Sequence, residues 1–279
     1  MDIQKPDNPA ALIRPVDWIA LRQAVQRLET TSLAARISFF LGMPIEKALA
    51  ALPGHWSNIV SRITRVALGK ALDSALYSLK PVARPPSKKI HKLLAGVSGA
   101  VGGSFGITAL AVELPVSATL MLRSIADIAR SNGEDLRSLD TRMACLTVFA
   151  LSGGPVKNIE SADTSYYAVR SFLSKAIGDA SSHIAVHGAS KDSAPALVKL
   201  LNAVATRFSV PVSEKLAAQT IPLVGAVGGA SVNLIFMQHY QEMAYAHFTI
   251  RKLERRYGKI IVQQAYQNIV QEKTQAELQ

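Results

Sequence analysis

The chain is poor in charge, poor in aromatics and nearly free of cysteine. Charged residues make up 18% of its 279 positions and aromatic residues 6%; a soluble globular domain usually carries about a quarter charged residues. A single cysteine, Cys145, excludes a disulfide framework and any cysteine-based zinc site, and suits a reducing compartment. No run alternates apolar and polar residues with period two, so strands find no support. A Gly-rich phosphate loop ending in Gly-Lys-Ser/Thr is missing, as is a Gly-x-Ser-x-Gly nucleophile elbow. The opening residues MDIQKPDNPAALIRPVDW show no basic segment followed by an apolar run, so no secretory signal is expected and the expected location is the cytoplasm.

What the chain does have is two Gly/Ala-rich apolar stretches. The first, LLAGVSGAVGGSFGITALAVELPVSATLML from Leu93 to Leu122, holds one charge, Glu113. The second, IPLVGAVGGASVNLIFM from Ile221 to Met237, repeats the phrase GAVGG. Gly99 and Gly103, Gly102 and Gly106, and Gly225 and Gly229 are spaced by four, which clears side chains from one helical stripe and lets another backbone approach. Glycine costs about 1 kcal/mol relative to alanine inside a helix, so close packing must offset it. The favoured reading is two central helices with similar packing roles, with duplication of a half-chain as the alternative. Spanning a bilayer requires about 20 apolar residues. These stretches are only mildly hydrophobic, and Glu113 would lie deep within the first, at a cost on the order of 3 kcal/mol. Buried helices are therefore favoured over two membrane spans.

Apolar periodicity predicts helices along most of the chain. Asp17 is a candidate N-cap for one or two helices over 16–40, and IEKALAAL forms a short one before Pro53-Gly54. Residues 56–79 are amphipathic, with Ile63, Ala67, Ala71 and Ala75 four apart. The segment KPVARPPSKKIHK (80–92) reads as a linker because its prolines cannot continue a helix. It divides an N-terminal arm and helices (1–55) and a helix from the remainder of a helical domain over 56–279. Further helices are expected over 93–130 (bent near Pro115), 136–151, 164–177, 181–187, 193–208, 213–219 and 222–257, with Gly133 and Gly258 as terminators. The fold class is all-α, a multi-helix bundle around two long Gly/Ala-rich helices.

The net charge is +11, and its location is informative. Lys88, Lys89 and Lys92 precede the first apolar stretch; Arg251, Lys252, Arg255 and Arg256 follow the second. Basic groups beside apolar segments suit anionic headgroups, so these seven are candidate lipid- or anion-binding residues. Nucleic acid is disfavoured, because no recognition motif or basic run longer than two is present. On the first central helix, Glu113, Ser124 and Asp127 share a face with Arg123 beside them, and a carboxylate this deep requires a partner or a shifted pKa. His239 and Glu242 lie one turn apart on the second. Glu113, Arg123, Asp127, His239 and Glu242 are thus candidate catalytic residues, and Glu113 with His239 and Glu242 is the set a metal-dependent hydrolase would use. Asp179, His183 and His187 fall four apart and form a candidate metal set, although Ile184 occupies the position where zincin-type peptidases carry glutamate. Cys145 reads as an inert core residue, and no cofactor is expected. None of these patterns reaches the specificity of an enzyme signature, and binding is favoured over catalysis.

The pairing of AGVSGAVGGSFGITALAVELPVSATLMLRSIADIARSNGED with IPLVGAVGGASVNLIFMQHYQEMAYAHFTIRKLERRYG resembles the bacterial EcsC family over roughly residues 60–260. Glu113, Pro115, Arg123, Pro222, Gly225, Asn233 and Arg251 fall at matching positions. The namesake of the family is encoded beside an ABC transporter, so the resemblance implies a membrane context, with a membrane transporter as a candidate partner, and carries no catalytic role. The expected function is that of a helical protein on the inner face of the cell membrane, binding an anionic surface, a lipid or a membrane protein.

Overall fold

The computed structural model describes residues 12–30, 32–78, 106–152, 165–187, 194–220 and 225–277. These form ten helices and no strand: α1 (Pro15–Thr30), α2 (Leu33–Leu41), α3 (Ile45–Ala50), α4 (Trp56–Ser78), α5 (Gly106–Ser131), α6 (Leu139–Ala150), α7 (Ser165–His187), α8 (Ala194–Gln219), α9 (Gly225–Tyr257) and α10 (Lys259–Glu277). The protein is all-α, as its composition and periodicity imply.

Local chemistry sets several boundaries. Pro15 opens α1, where its missing N–H costs nothing. Ser32 caps α2 by accepting the Ala35 N–H at 3.3 Å, and Gly42, at φ 66°, ends that helix. Gly133, at φ 82°, closes α5, and the Glu134 N–H returns to the Ala129 carbonyl at 3.1 Å. Gly258 alone separates α9 from α10 at φ 89°.

Three boundaries differ from the sequence expectation. The predicted helices over 164–177 and 181–187 are one helix, α7, because Leu173, Ile177, Ala180 and Ile184 keep an unbroken apolar stripe across Gly178. Those over 193–208 and 213–219 also merge, into α8, which runs through Pro211; Phe208, Val212 and Leu216 stay buried on both sides of the proline. Finally, α10 was not expected, yet Val262, Ala265, Tyr266 and Ile269 give it a buried stripe. The expected linker 80–92 and the first part of the 93–130 helix lie outside the described residues.

The main core is built by α4, α5, α8 and α9. Small residues on α4 (Ala67, Ala71) and α5 (Ala118) are fully buried, so these two helices lie close along each other. Phe149, Phe208, Phe236 and Tyr240 interlock at centroid distances of 4.8–6.0 Å. A second cluster joins α1, the start of α7, the end of α9 and α10 through Leu21, Val25, Tyr166, Tyr266 and their neighbours. The two Gly/Ala-rich helices do lie against each other as α5 and α9. Of the glycines assigned to packing, Gly106 begins α5, and Gly225 and Gly229 fall in the first turns of α9, with Gly229 buried; Gly99, Gly102 and Gly103 lie outside the described residues. No helix among the described residues is long and apolar enough to cross a membrane.

Candidate functional site

Helix α5 presents two contrasting faces. On the inner face, Ser117 Oγ donates to Glu113 Oε1 at 3.0 Å. Lys215 of α8 donates to the same oxygen at 2.5 Å and to Asn233 Oδ1 of α9 at 2.8 Å. Its Nζ also stands 5.1 Å from the centre of the Phe236 ring. Lys215 is 0% exposed, and Glu113, Ser117 and Asn233 are buried as well. The three N–H groups of the ammonium therefore meet a carboxylate, an amide oxygen and an aromatic face. One salt bridge ties α5, α8 and α9 together.

On the outer face, α5 and α4 border a groove of about 550 Å³ lined by Ala111, Val112, Pro115, Val116, Leu120 and neighbouring side chains, with Lys70 and Arg123 among them and no carboxylate. Val112 is 74% exposed, and Val66 and Val116 about half exposed. Arg62 and Arg65 are exposed on the same helix as Lys70. Among the described residues, Arg62, Arg65, Lys70 and Arg123 form no ion pair. The result is an apolar groove whose two lining cations, Lys70 and Arg123, form no ion pair among the described residues.

The other candidate residues take separate partners. His239 Nε2 lies 2.5 Å from Ser152 Oγ; burial, helped by the Arg36 charge and opposed by Glu242, lowers this imidazole to about 3. Glu242 pairs with Arg36 and accepts from Gln238 at 2.9 Å. Burial pushes its carboxyl up, but those hydrogen bonds outweigh it and hold the group below its ordinary value. Glu113 meets Lys215 instead of His239 and Glu242, so the hydrolase set is not brought together. Asp127 accepts from Arg130 at 3.1 Å, Ser124 accepts from Gln241 at 2.8 Å, and Arg123 lies on the outer groove. Asp179 and His183 are exposed on α7, while the His187 side chain lies outside the described residues. Among those residues no group of three or more His, Cys, Asp or Glu is placed to hold a metal. Burial pushes the Cys145 thiol up to about 12.

The basic cluster that follows the second stretch is largely spent inside the protein. Arg251 Nε donates to Glu134 at 2.9 Å and its Nη2 to Asp140 at 2.7 Å. Arg255 pairs with Glu134 and donates to the Asn132 carbonyl at 2.9 Å. Arg256 reaches Asp17 at 2.9 Å. Asp17 also accepts from the Tyr257 hydroxyl at 2.5 Å, and this bond leads the lowering of its pKa to about 2. Lys252 is exposed; Lys88, Lys89 and Lys92 lie outside the described residues.

Sequence reasoning missed both Lys215 and the outer groove. Lys215 carried a usable signal. It follows Phe208 by seven residues and Val212 by three, so it belongs to the apolar stripe of its helix, where a lysine needs a buried partner. The groove carried one too, since Val112 and Val116 flank Glu113 on the face opposite the core.

The model of the EcsC protein family matches residues 57–253. Comparison with curated proteins and with solved structures gives no match.

Proposed function

The chain belongs to the EcsC protein family, and from that premise we propose that it is a peripheral binding protein that docks on an anionic membrane surface through the outer face of α4 and α5. The observation that carries this reading is the groove in which exposed Val112 and Val116 stand beside Lys70 and Arg123, with no carboxylate in its lining. Apolar side chains at headgroup depth contribute about 1 kcal/mol each when removed from water, and each nearby cation about 1 kcal/mol at an anionic surface. The two terms reinforce each other only where both kinds of group share a face, as they do here. The Glu113–Lys215–Asn233 clamp ties α5 to α8 and α9 behind this face. Docking would place the protein on the inner face of the cell membrane, where a transporter embedded in that bilayer is within reach.

Sedimentation of the full chain with vesicles of phosphatidylglycerol and phosphatidylcholine, against phosphatidylcholine alone, tests the reading. Binding should require the anionic lipid, weaken with salt, and be lost in Val112→Asp/Val116→Asp. Normal sedimentation of that folded double variant would refute it. Binding that appears only when a membrane protein is reconstituted in the vesicles would assign the face to a protein partner.

A further inference from the structure

A second cleft, of about 570 Å³, opens between α6, α7, α9 and α10, away from the α4–α5 face. Such a volume suits a small molecule. At its wall stands His247, 2% exposed, whose Nε2 has no hydrogen-bond partner among the described residues. The other ring nitrogen, Nδ1, lies 2.9 Å from the Tyr166 hydroxyl. That phenol oxygen already accepts from Arg170 Nη1 at 3.2 Å, so its own hydrogen is directed to Nδ1. The remaining imidazole proton then sits on Nε2, a tautomer inferred from the network. Burial, followed by the charges of Arg170 and Arg251, holds His247 well below its ordinary pKa, so the ring is a neutral donor.

Other donors share this wall. Arg251 uses Nε and Nη2 on Glu134 and Asp140, which leaves its Nη1 hydrogens without a partner among the described residues. Lys259, exposed, lines the cleft at the first position of α10. The N–H groups of that first turn add positive potential. Ser171 contributes a hydroxyl, and Ser174, whose own hydroxyl donates to the Ser171 carbonyl at 2.7 Å, adds an oxygen that can accept. The one acid in the lining, Asp140, is already bound to Arg251. A set composed of donors from two helices calls for a group made of acceptors. A phosphate offers more oxygens than a carboxylate to satisfy them.

We infer that this cleft binds a phosphate-bearing ligand, with phosphate oxygens on His247 Nε2–H, Arg251 Nη1 and Lys259 Nζ and a hydroxylated body against the serines. The phosphate comes either from a free phosphorylated small molecule or from a lipid headgroup. Calorimetric titration of the full chain with inorganic phosphate, glycerol 3-phosphate and short-chain dihexanoyl phosphatidylglycerol separates the two. Saturable binding of glycerol 3-phosphate, competed by inorganic phosphate, identifies the free ligand; binding of the short-chain lipid alone identifies the headgroup. In either case Lys259→Gln weakens binding about tenfold, the loss of one charge-assisted hydrogen bond. Lys199→Gln, an exposed lysine of α8 outside the cleft, leaves it unchanged. The His247 Nε2–H resonance of protein labelled with ¹⁵N-histidine shifts on saturation. Absence of saturable binding by all three probes overturns the inference, as does equal weakening by Lys259→Gln and Lys199→Gln. Val112→Asp/Val116→Asp leaves this site intact, so failure here and failure of membrane docking are told apart.

Discussion

Replacing Lys215 with methionine is the sharpest probe of what holds α5 in place. The substitution keeps the volume and the apolar stem but removes a fully buried ammonium. Among the described residues Glu113 then keeps the Ser117 hydroxyl, and Asn233 loses its 2.8 Å donor. Breaking one partner of a buried pair costs about 3–5 kcal/mol, because the remaining charge is left without compensation. Whole domains are stable by about 5–15 kcal/mol, so a loss of this size consumes a large share. Glu113→Leu leaves Lys215 with the Asn233 oxygen and the Phe236 ring, and should cost a similar amount. Glu113→Leu/Lys215→Met removes both charges together and should fall within about 1 kcal/mol of the native protein, since apolar replacement of a buried pair is often neutral or better. Urea unfolding followed by circular dichroism at constant pH measures all of these, with coupling read from the non-additivity of the paired changes. Single changes costing less than about 1 kcal/mol, or a double variant as unstable as the sum of its parts, would refute the clamp.

Two further outcomes follow from groups elsewhere in the fold. Burial, with Glu46 nearby, raises Glu214 from 4.5 to about 7, so the folded state holds a proton that the unfolded chain releases earlier. Stability contributed by this group is therefore present below about pH 4.5 and lost as pH rises to about 7; Glu214→Gln should match the native protein at pH 5 and exceed it by up to about 3 kcal/mol at pH 8, and an equal difference at both pH values in urea titrations would contradict the shift. Gly258 and Gly69 both have open space where a Cβ would stand, but only Gly258 has positive φ; Gly258→Ala should cost about 1–2 kcal/mol through backbone strain, whereas Gly69→Ala within α4 should stabilise by about 1 kcal/mol, and thermal melts showing the same sign for both would disprove the distinction.

Legibility in the sequence followed the range of the interactions concerned. The apolar face of α4 repeats within one or two turns, so Ala67 and Ala71 were identifiable as core from spacing alone. Gly178 and Pro211 looked like breaks because their local propensities oppose helix. Packing of Leu173, Ala180, Phe208 and Leu216 overrode them, and packing is not local information. Glu113 was visible as a carboxylate needing a partner, but Lys215 lies 102 residues away, and nothing short of the fold chooses it over His239 or Glu242. Tyr166 and His247, 81 residues apart, pose the same problem in the second cleft.

The placement of positive charge makes the same point with a functional consequence. Read along the chain, the densest basic cluster after the second stretch is Arg251 to Arg256, and it lies beside an apolar helix. In the fold its three arginines bind Asp17, Glu134, Asp140 and the Asn132 carbonyl, fastening the end of α9 to α1 and to the turn after α5. A guanidinium already paired with a carboxylate offers little net charge to a distant headgroup, since the two fields largely cancel within a Debye length. Lys70 and Arg123 are sparser in sequence but have no such partners among the described residues, and they line the groove beside the exposed Val112 and Val116. Attraction to an anionic surface depends on uncompensated charge near that surface rather than on the local density of basic residues. On the proposed reading, the docking face is the groove between α4 and α5, whose lining carries Lys70 and Arg123 and no carboxylate among the described residues.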